Sequence, residues 1–206
     1  MSILLDLILI ILLFFLFALL HTLSASNKIK KLIGETFPVI LPFYRLIYNL
    51  LSLISFYIFY RFAPKPDIEI YDLSYPWDLI ILLPQALSLA GIIWALKYFD
   101  LKEFTGIGQI IRWKNKGYIN KELDEHKTLH IGGPYKFCRH PLYFFSILFI
   151  GFRPTMSLFY LTAFICISIY FYIGSLFEEE KLVESFGEIY LNYQRTTPRL
   201  IPFLHF

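Results

Sequence analysis

The amino-acid sequence predicts an all-α integral membrane protein with five transmembrane segments. The last two form a helical hairpin, and a carboxy-terminal amphipathic helix follows them. Three observations carry this. Hydrophobic residues make up 57% of the 206 residues and charged residues only 17%, far from the balance of an ordinary soluble domain. Long apolar runs lack a charge near their middle. Lysine and arginine collect in the connections on one side. The length suits one domain, residues 1–206.

Ile3 to Leu23 is long enough to cross the hydrocarbon core as a helix, roughly 30 Å at 1.5 Å per residue. It is read as a span and not as a cleavable signal, because Met-Ser-Ile-Leu-Leu-Asp supplies no positive leading region. Phe43 to Tyr60 is the second span, with Arg45 near an end where its stem reaches the interface. Leu79 to Leu96 is the third. Pro84 is placed to kink it, and Trp77 and Trp94 lie near its ends as interfacial aromatics. Residues 142–152 are too few to cross alone, and 155–177 follow without a charge. These two are read as the hairpin, turning at Arg153-Pro154, with a short or steeply tilted first arm.

Fifteen of the nineteen Lys and Arg residues fall after the first span, between the third span and the hairpin, or in the tail. By the positive-inside tendency this puts the amino terminus outside a plasma or inner membrane. The 97–141 loop and the 178–206 tail then lie together in the cytoplasm. No span carries a charge at mid-depth, which counts against a channel or pump. The formal charge of +3 gives no footprint for nucleic acid. Cys138 and Cys166 cannot make a disulfide framework.

Polar chemistry therefore concentrates in two clusters. The first runs from Gly132-Gly133-Pro134-Tyr135 through Arg139-His140-Pro141-Leu142-Tyr143. Its glycines and proline make a turn that admits a ligand close to the backbone. Pro141 suits the first position of a helix, whose exposed N–H groups favour a carboxylate or phosphate. A basic juxtamembrane loop with a capped helix accounts for each element taken singly. The second cluster begins at Glu178-Glu179-Glu180. Adjacent carboxylates repel, so a positive partner is expected. Leu182, Val183, Phe186, Ile189, Tyr190 and Tyr193 then recur at helical spacing, continuing one amphipathic helix to about Gln194.

Together the two clusters carry a resemblance. Gly133-Pro134-Tyr135, Arg139-His140-Pro141, Tyr143, Glu178-Glu179, Leu182, Phe186-Gly187, Tyr190, Tyr193 and Pro198-Arg199-Leu200-Ile201-Pro202 resemble the isoprenylcysteine carboxyl methyltransferase and phospholipid methyltransferase superfamily. His21-Thr22-Leu23-Ser24-Ala25-Ser26, Tyr44-Arg45-Leu46-Ile47-Tyr48-Asn49 and Phe99-Asp100-Leu101 are similar to its methanethiol S-methyltransferase-like branch. The resemblance implies that the clusters enclose S-adenosylmethionine, with Gly133, Pro134, Tyr135, His140, Pro141, Leu142, Tyr143, Glu178 and Glu179 around it. It implies methylation of a small thiol or lipophilic substrate among membrane lipids. Arg139 and Glu178 are the candidate catalytic residues, Arg139 favouring a thiolate or steering an anionic acceptor, with Arg195 and Arg199 in reserve. A prenylated cysteine carboxylate, a lipid amine, a sterol reductase and a non-catalytic partner of a redox enzyme remain as alternatives. Gly106-x-Gly108 is too weak a signal for a phosphate loop. His126 and His130 lack a third ligand for a metal. His21 is expected to hydrogen-bond within the helices, and Asp100 to partner a lysine.

Overall fold

The computed structural model describes residues 2–119 and 128–204. Four helices are long and apolar enough to cross a membrane: Ile3–Ala25, Leu41–Phe62, Trp77–Leu96 and Leu158–Phe186. A shorter apolar helix spans Pro141–Gly151. Large apolar side chains on these helices, such as Leu4, Leu53, Leu83 and Ile169, are exposed, as lipid-facing surface requires. The chain divides into two compact units.

The first unit holds the described residues up to Pro64 and from Phe99 to 119. Helix α1 (Ile3–Ala25) is capped by Ser2, and Ser26 both ends it and caps α2 (Asn27–Thr36). Helix α3 (Tyr44–Phe62) packs on α1 through the Phe14–Phe59 and Phe17–Phe56 edge-to-face pairs. His21 lies between these helices, 2.8 Å from both Ser52 Oγ and Tyr48 Oη. Part of the expected 97–141 loop is helical: α6 (Leu101–Thr105) and α7 (Ile107–Lys114) follow in the same unit. Asp100 caps α6, accepting from the Lys102 and Glu103 backbone N–H groups, so its partner is a helix start and not a lysine side chain. Gly106 turns between α6 and α7 at φ +92°, where a Cβ would lie 2.6 Å from Leu46 N. Its need for glycine is thus conformational and steric. His126 lies outside the described residues.

The second unit holds 65–98 and 128–204. Strand β1 (Glu69–Asp72) precedes α4 (Trp77–Ile80) and α5 (Leu82–Leu96). The α4–α5 break falls at Ile81, as Pro84 dictates. Its ring removes the hydrogen bond that would reach back to the Ile80 carbonyl. Helix α8 (Pro141–Gly151) packs along α5, joined by the Gln85 amide donating to the Phe149 carbonyl at 3.1 Å. Strand β2 (Thr155–Ser157) leads into α9 (Leu158–Phe186), and α10 (Glu188–Thr196) closes the elements.

Two details differ from the sequence reading. The hairpin does not turn tightly at Arg153-Pro154. Instead β2 pairs antiparallel with β1, Tyr71 opposite Met156 and Asp72 opposite Thr155. The reason is length. From Leu158 to Glu178, α9 rises about 31 Å, whereas α8 rises only about 16 Å. The extended residues 152–157 make up the difference, and β1 satisfies backbone groups that a bare extended segment would leave open. The amphipathic helix, too, is divided: α9 continues through the acidic run but ends at Gly187, with φ +54°, and α10 starts anew.

Candidate active site

The site is built on Glu179. Helix α9 carries Ser175 and Glu179 one turn apart on its inner face, and both are buried. Glu179 is 3% exposed and collects donors from three segments. Arg139 binds it through both fork positions, Nε to Oε1 at 2.7 Å and Nη2 to Oε2 at 3.0 Å. His140 Nε2 lies 3.2 Å from Oε1, the Gln194 amide donates to Oε2 at 2.9 Å, and Arg199 Nε donates to Oε2 at 3.2 Å. The remaining Arg139 arm, Nη1, donates to the carbonyls of Gln194 and Thr197. Such bidentate, charge-assisted bonding is the geometry in which a buried carboxylate is tolerated.

The closing Pro198-Arg199 motif belongs to the same construction. Arg139 N–H donates to the Pro198 carbonyl at 2.9 Å, and His140 N–H to that of Arg199 at 3.0 Å. Backbone pairing thus fastens the tail to the segment that opens α8.

Glu178 faces elsewhere, because successive helical residues are rotated about 100°. Its side chain is 46% exposed. Oε2 accepts from the Tyr143 hydroxyl at 3.0 Å and lies 3.5 Å from His140 Nδ1. Oε1 has no hydrogen-bond partner among the described residues. Tyr143 is stacked between His140, centroids 5.3 Å apart, and Phe171, 4.6 Å apart. Burial opposes the proton on His140, but hydrogen bonds and charge from Glu178 and Glu179 outweigh it, holding the imidazole pKa above its ordinary value. Burial pushes the Cys138 thiol up to about 12, against the opposing pull of the His140 backbone and the Arg139 charge.

Gly133, at φ +57°, opens a 3-10 turn (Gly133–Lys136), and a Cβ there would collide with the Tyr98 ring. Gly133→Ala is therefore expected to lose at least the roughly 1–3 kcal/mol of a strained left-handed residue. Thermal unfolding in detergent checks this, and adding Tyr98→Ala should restore only the part due to collision. The Tyr135 carbonyl accepts from the Tyr193 hydroxyl at 2.5 Å, tying this turn to α10.

Two hollows flank the cluster. A polar one of about 340 Å³ lies between α9, α10 and the tail, lined by Glu179, Glu180, Gln194 and Arg199 with Leu176 and Val183. An apolar one of about 290 Å³ includes Trp94, Pro134, Cys138, Pro141 and Phe145 in its wall. Of the residues singled out from sequence, Glu179 lines the first, Pro134 and Pro141 line the second, and Glu178, Tyr143 and His140 form the adjoining stack. Gly133, Tyr135 and Leu142 line neither hollow. Arg195 bonds Asn192 at 3.1 Å on the exposed face of α10. Sequence reasoning misses Gln194 and Glu180, which lie within the quoted motifs but stand out only when α10 folds back on α9.

The fold and this cluster define an all-helical integral membrane protein with a buried arginine–histidine–glutamate centre. The chain is 29% identical to a methanethiol S-methyltransferase of Crocosphaera subtropica over 195 residues, 91% of this chain and 71% of that protein. It is 30% identical to methanethiol S-methyltransferase 1 of Bradyrhizobium diazoefficiens over 198 residues, 93% and 65% of the two chains. With a Pseudomonas methanethiol S-methyltransferase the identity is 27% over 205 residues, 98% and 74%. The chain thus spans about two thirds to three quarters of the length of these curated relatives. No family model and no solved structure matches it. The chain is a relative of the methanethiol S-methyltransferases, the branch its motifs resemble.

Proposed function

We propose that this protein is an S-adenosylmethionine-dependent membrane methyltransferase acting on a small thiol, with its site at the cytoplasmic surface. One observation carries the reading: in a chain whose relatives bear that name, residues 139–143 and Glu178–Glu179 meet around a single cluster with a ligand-sized hollow beside it. The hollow of about 340 Å³ falls within the roughly 300–1,000 Å³ of small-molecule sites.

The residues present fit the donor's chemistry. Its amino-acid end is a zwitterion, and the hollow offers Glu180 for an ammonium and Arg199 for a carboxylate. Glu178 Oε1 suits an ammonium or the ribose diol. The Tyr190 hydroxyl is buried without a partner among the described residues, leaving a polar contact for a bound group to supply. When bound, S-adenosylmethionine supplies a methyl group on a cationic sulfur. The acceptor thiol gives its proton to water, its sulfur forms the new S–CH3 bond, and the electron pair of the breaking bond stays with the donor sulfur. The chain's part is alignment, with reacting atoms about 3–3.5 Å apart, and cationic surroundings that favour a thiolate. Arg139 serves as a positioning residue. Its bonds to Glu179, Gln194 and Thr197 set the cluster to which His140 and Tyr143 are fixed.

Equilibrium binding of labelled S-adenosylmethionine to the detergent-solubilised protein, followed by transfer of label to thiols, tests the proposal. Saturable binding with label appearing in a thioether is expected. Failure to bind the donor sinks it.

A further inference from the structure

The apolar hollow has no place in holding a zwitterionic donor, yet it abuts the same segment. Residues 138–141 form a partition: Arg139 and His140 reach to Glu179, while Cys138 and Pro141 line the hollow. Its lining presents no polar surface. A charged acceptor placed there would lose its hydration with nothing to replace it, so a carboxylate or an ammonium is excluded by cost. A neutral thiol with an apolar body suits it, since sulfur packs favourably on aromatic rings and Trp94, Phe144 and Phe145 provide them. The volume of about 290 Å³ is far more than the two heavy atoms of methanethiol fill. Pro202 and Phe203 close one rim. Phe203 is 85% exposed, and its φ of +69° is a backbone region that non-glycine residues seldom occupy. That rim opens onto apolar surface, the side from which a solute dissolved in lipid arrives. Cys138, already in the wall, is held as a neutral thiol by its burial and does not compete for the methyl group.

We propose that this hollow is the acceptor site, and that the preferred acceptor is a lipophilic thiol with a chain of several carbons. The assignment rests on the methyltransferase reading and adds the substrate class to it. The bond made and the bond broken are the same as for methanethiol, with the thiol proton again passing to water.

The test uses the full chain in detergent with labelled S-adenosylmethionine and straight-chain thiols of one, two, four and six carbons. The ratio kcat/KM is expected to rise about fourfold per added methylene until the hollow is full. Phe144→Trp, which fills the hollow, should lower the six-carbon to one-carbon ratio at least tenfold. Phe145→Ala, which enlarges it, should move the optimum to longer thiols, so a folding failure in one variant leaves the other decisive. A flat or falling series overturns the inference while leaving the methyltransferase reading in place. So does an optimum that Phe145→Ala does not move, since the hollow then holds only a bilayer acyl chain. Weakened donor binding in Phe144→Trp with equal loss for every thiol assigns the hollow to the donor's adenosine and also overturns it. Absence of donor binding by the wild type removes the underlying reading itself.

Discussion

Glu179→Gln is expected to destabilise the protein by about 3–5 kcal/mol, the largest effect of any single substitution in the cluster. The carboxylate is nearly inaccessible to water and receives Arg139, His140, Gln194 and Arg199. An amide of the same shape keeps one acceptor oxygen and removes the negative charge, so the Arg139 guanidinium stays buried without its counter-ion. The cost comes from that stranded cation more than from any bond lost. Thermal unfolding in detergent should show a midpoint lower by roughly 6–20 °C for a chain of this length. Pairing Glu179→Leu with Arg139→Met should recover much of the loss, because an apolar pair leaves no unpaired charge. A midpoint unchanged in Glu179→Gln, or a double variant no better than the single, would show that the ion cluster does not hold α9, α10 and the tail together.

Glu178→Gln should do the opposite: little to stability, much to the donor. The side chain is half exposed, and its one neutral hydrogen bond, from Tyr143, survives with an amide oxygen as acceptor. The stability change should stay within about 1 kcal/mol. A charge-assisted bond to a bound ammonium or diol contributes about 1.5–3 kcal/mol, so affinity for S-adenosylmethionine should fall roughly 10- to 150-fold. Binding titrations on wild type and variant, with unfolding midpoints measured alongside, separate the two glutamates. Equal donor affinity in the two proteins would take Glu178 out of the site.

That two adjacent glutamates should differ so much shows what the sequence could and could not convey. The acidic run at 178–180 demands a positive partner, and Arg139, His140 and Arg199 meet that demand. Which glutamate turns inward depends on the phase of α9 against α8. The one local sign is Ser175, a small polar residue four positions before Glu179 in an otherwise apolar helix. The long spans are legible because uncharged runs leave few other solutions in water or lipid. The β1–β2 ladder is not legible, because four residues against three are too short to alternate visibly, and neither segment buries a face by itself. Gly187 reads as one glycine within a continuing hydrophobic stripe. Only its positive φ reveals that the stripe is two helices, with α10 folded back so that Gln194 reaches Glu179.

The four-residue wall from Cys138 to Pro141 has a bearing on how such proteins diversify. With one reactant assigned to each side of it, the choice of thiol can be redrawn through Trp94, Phe144 and Phe145 while the ionic lock behind remains as it is. Appetite for new sulfur compounds then becomes a matter of ring sizes on α5 and α8, and an engineer seeking a different odorous thioether has a short list of positions that leave the lock alone.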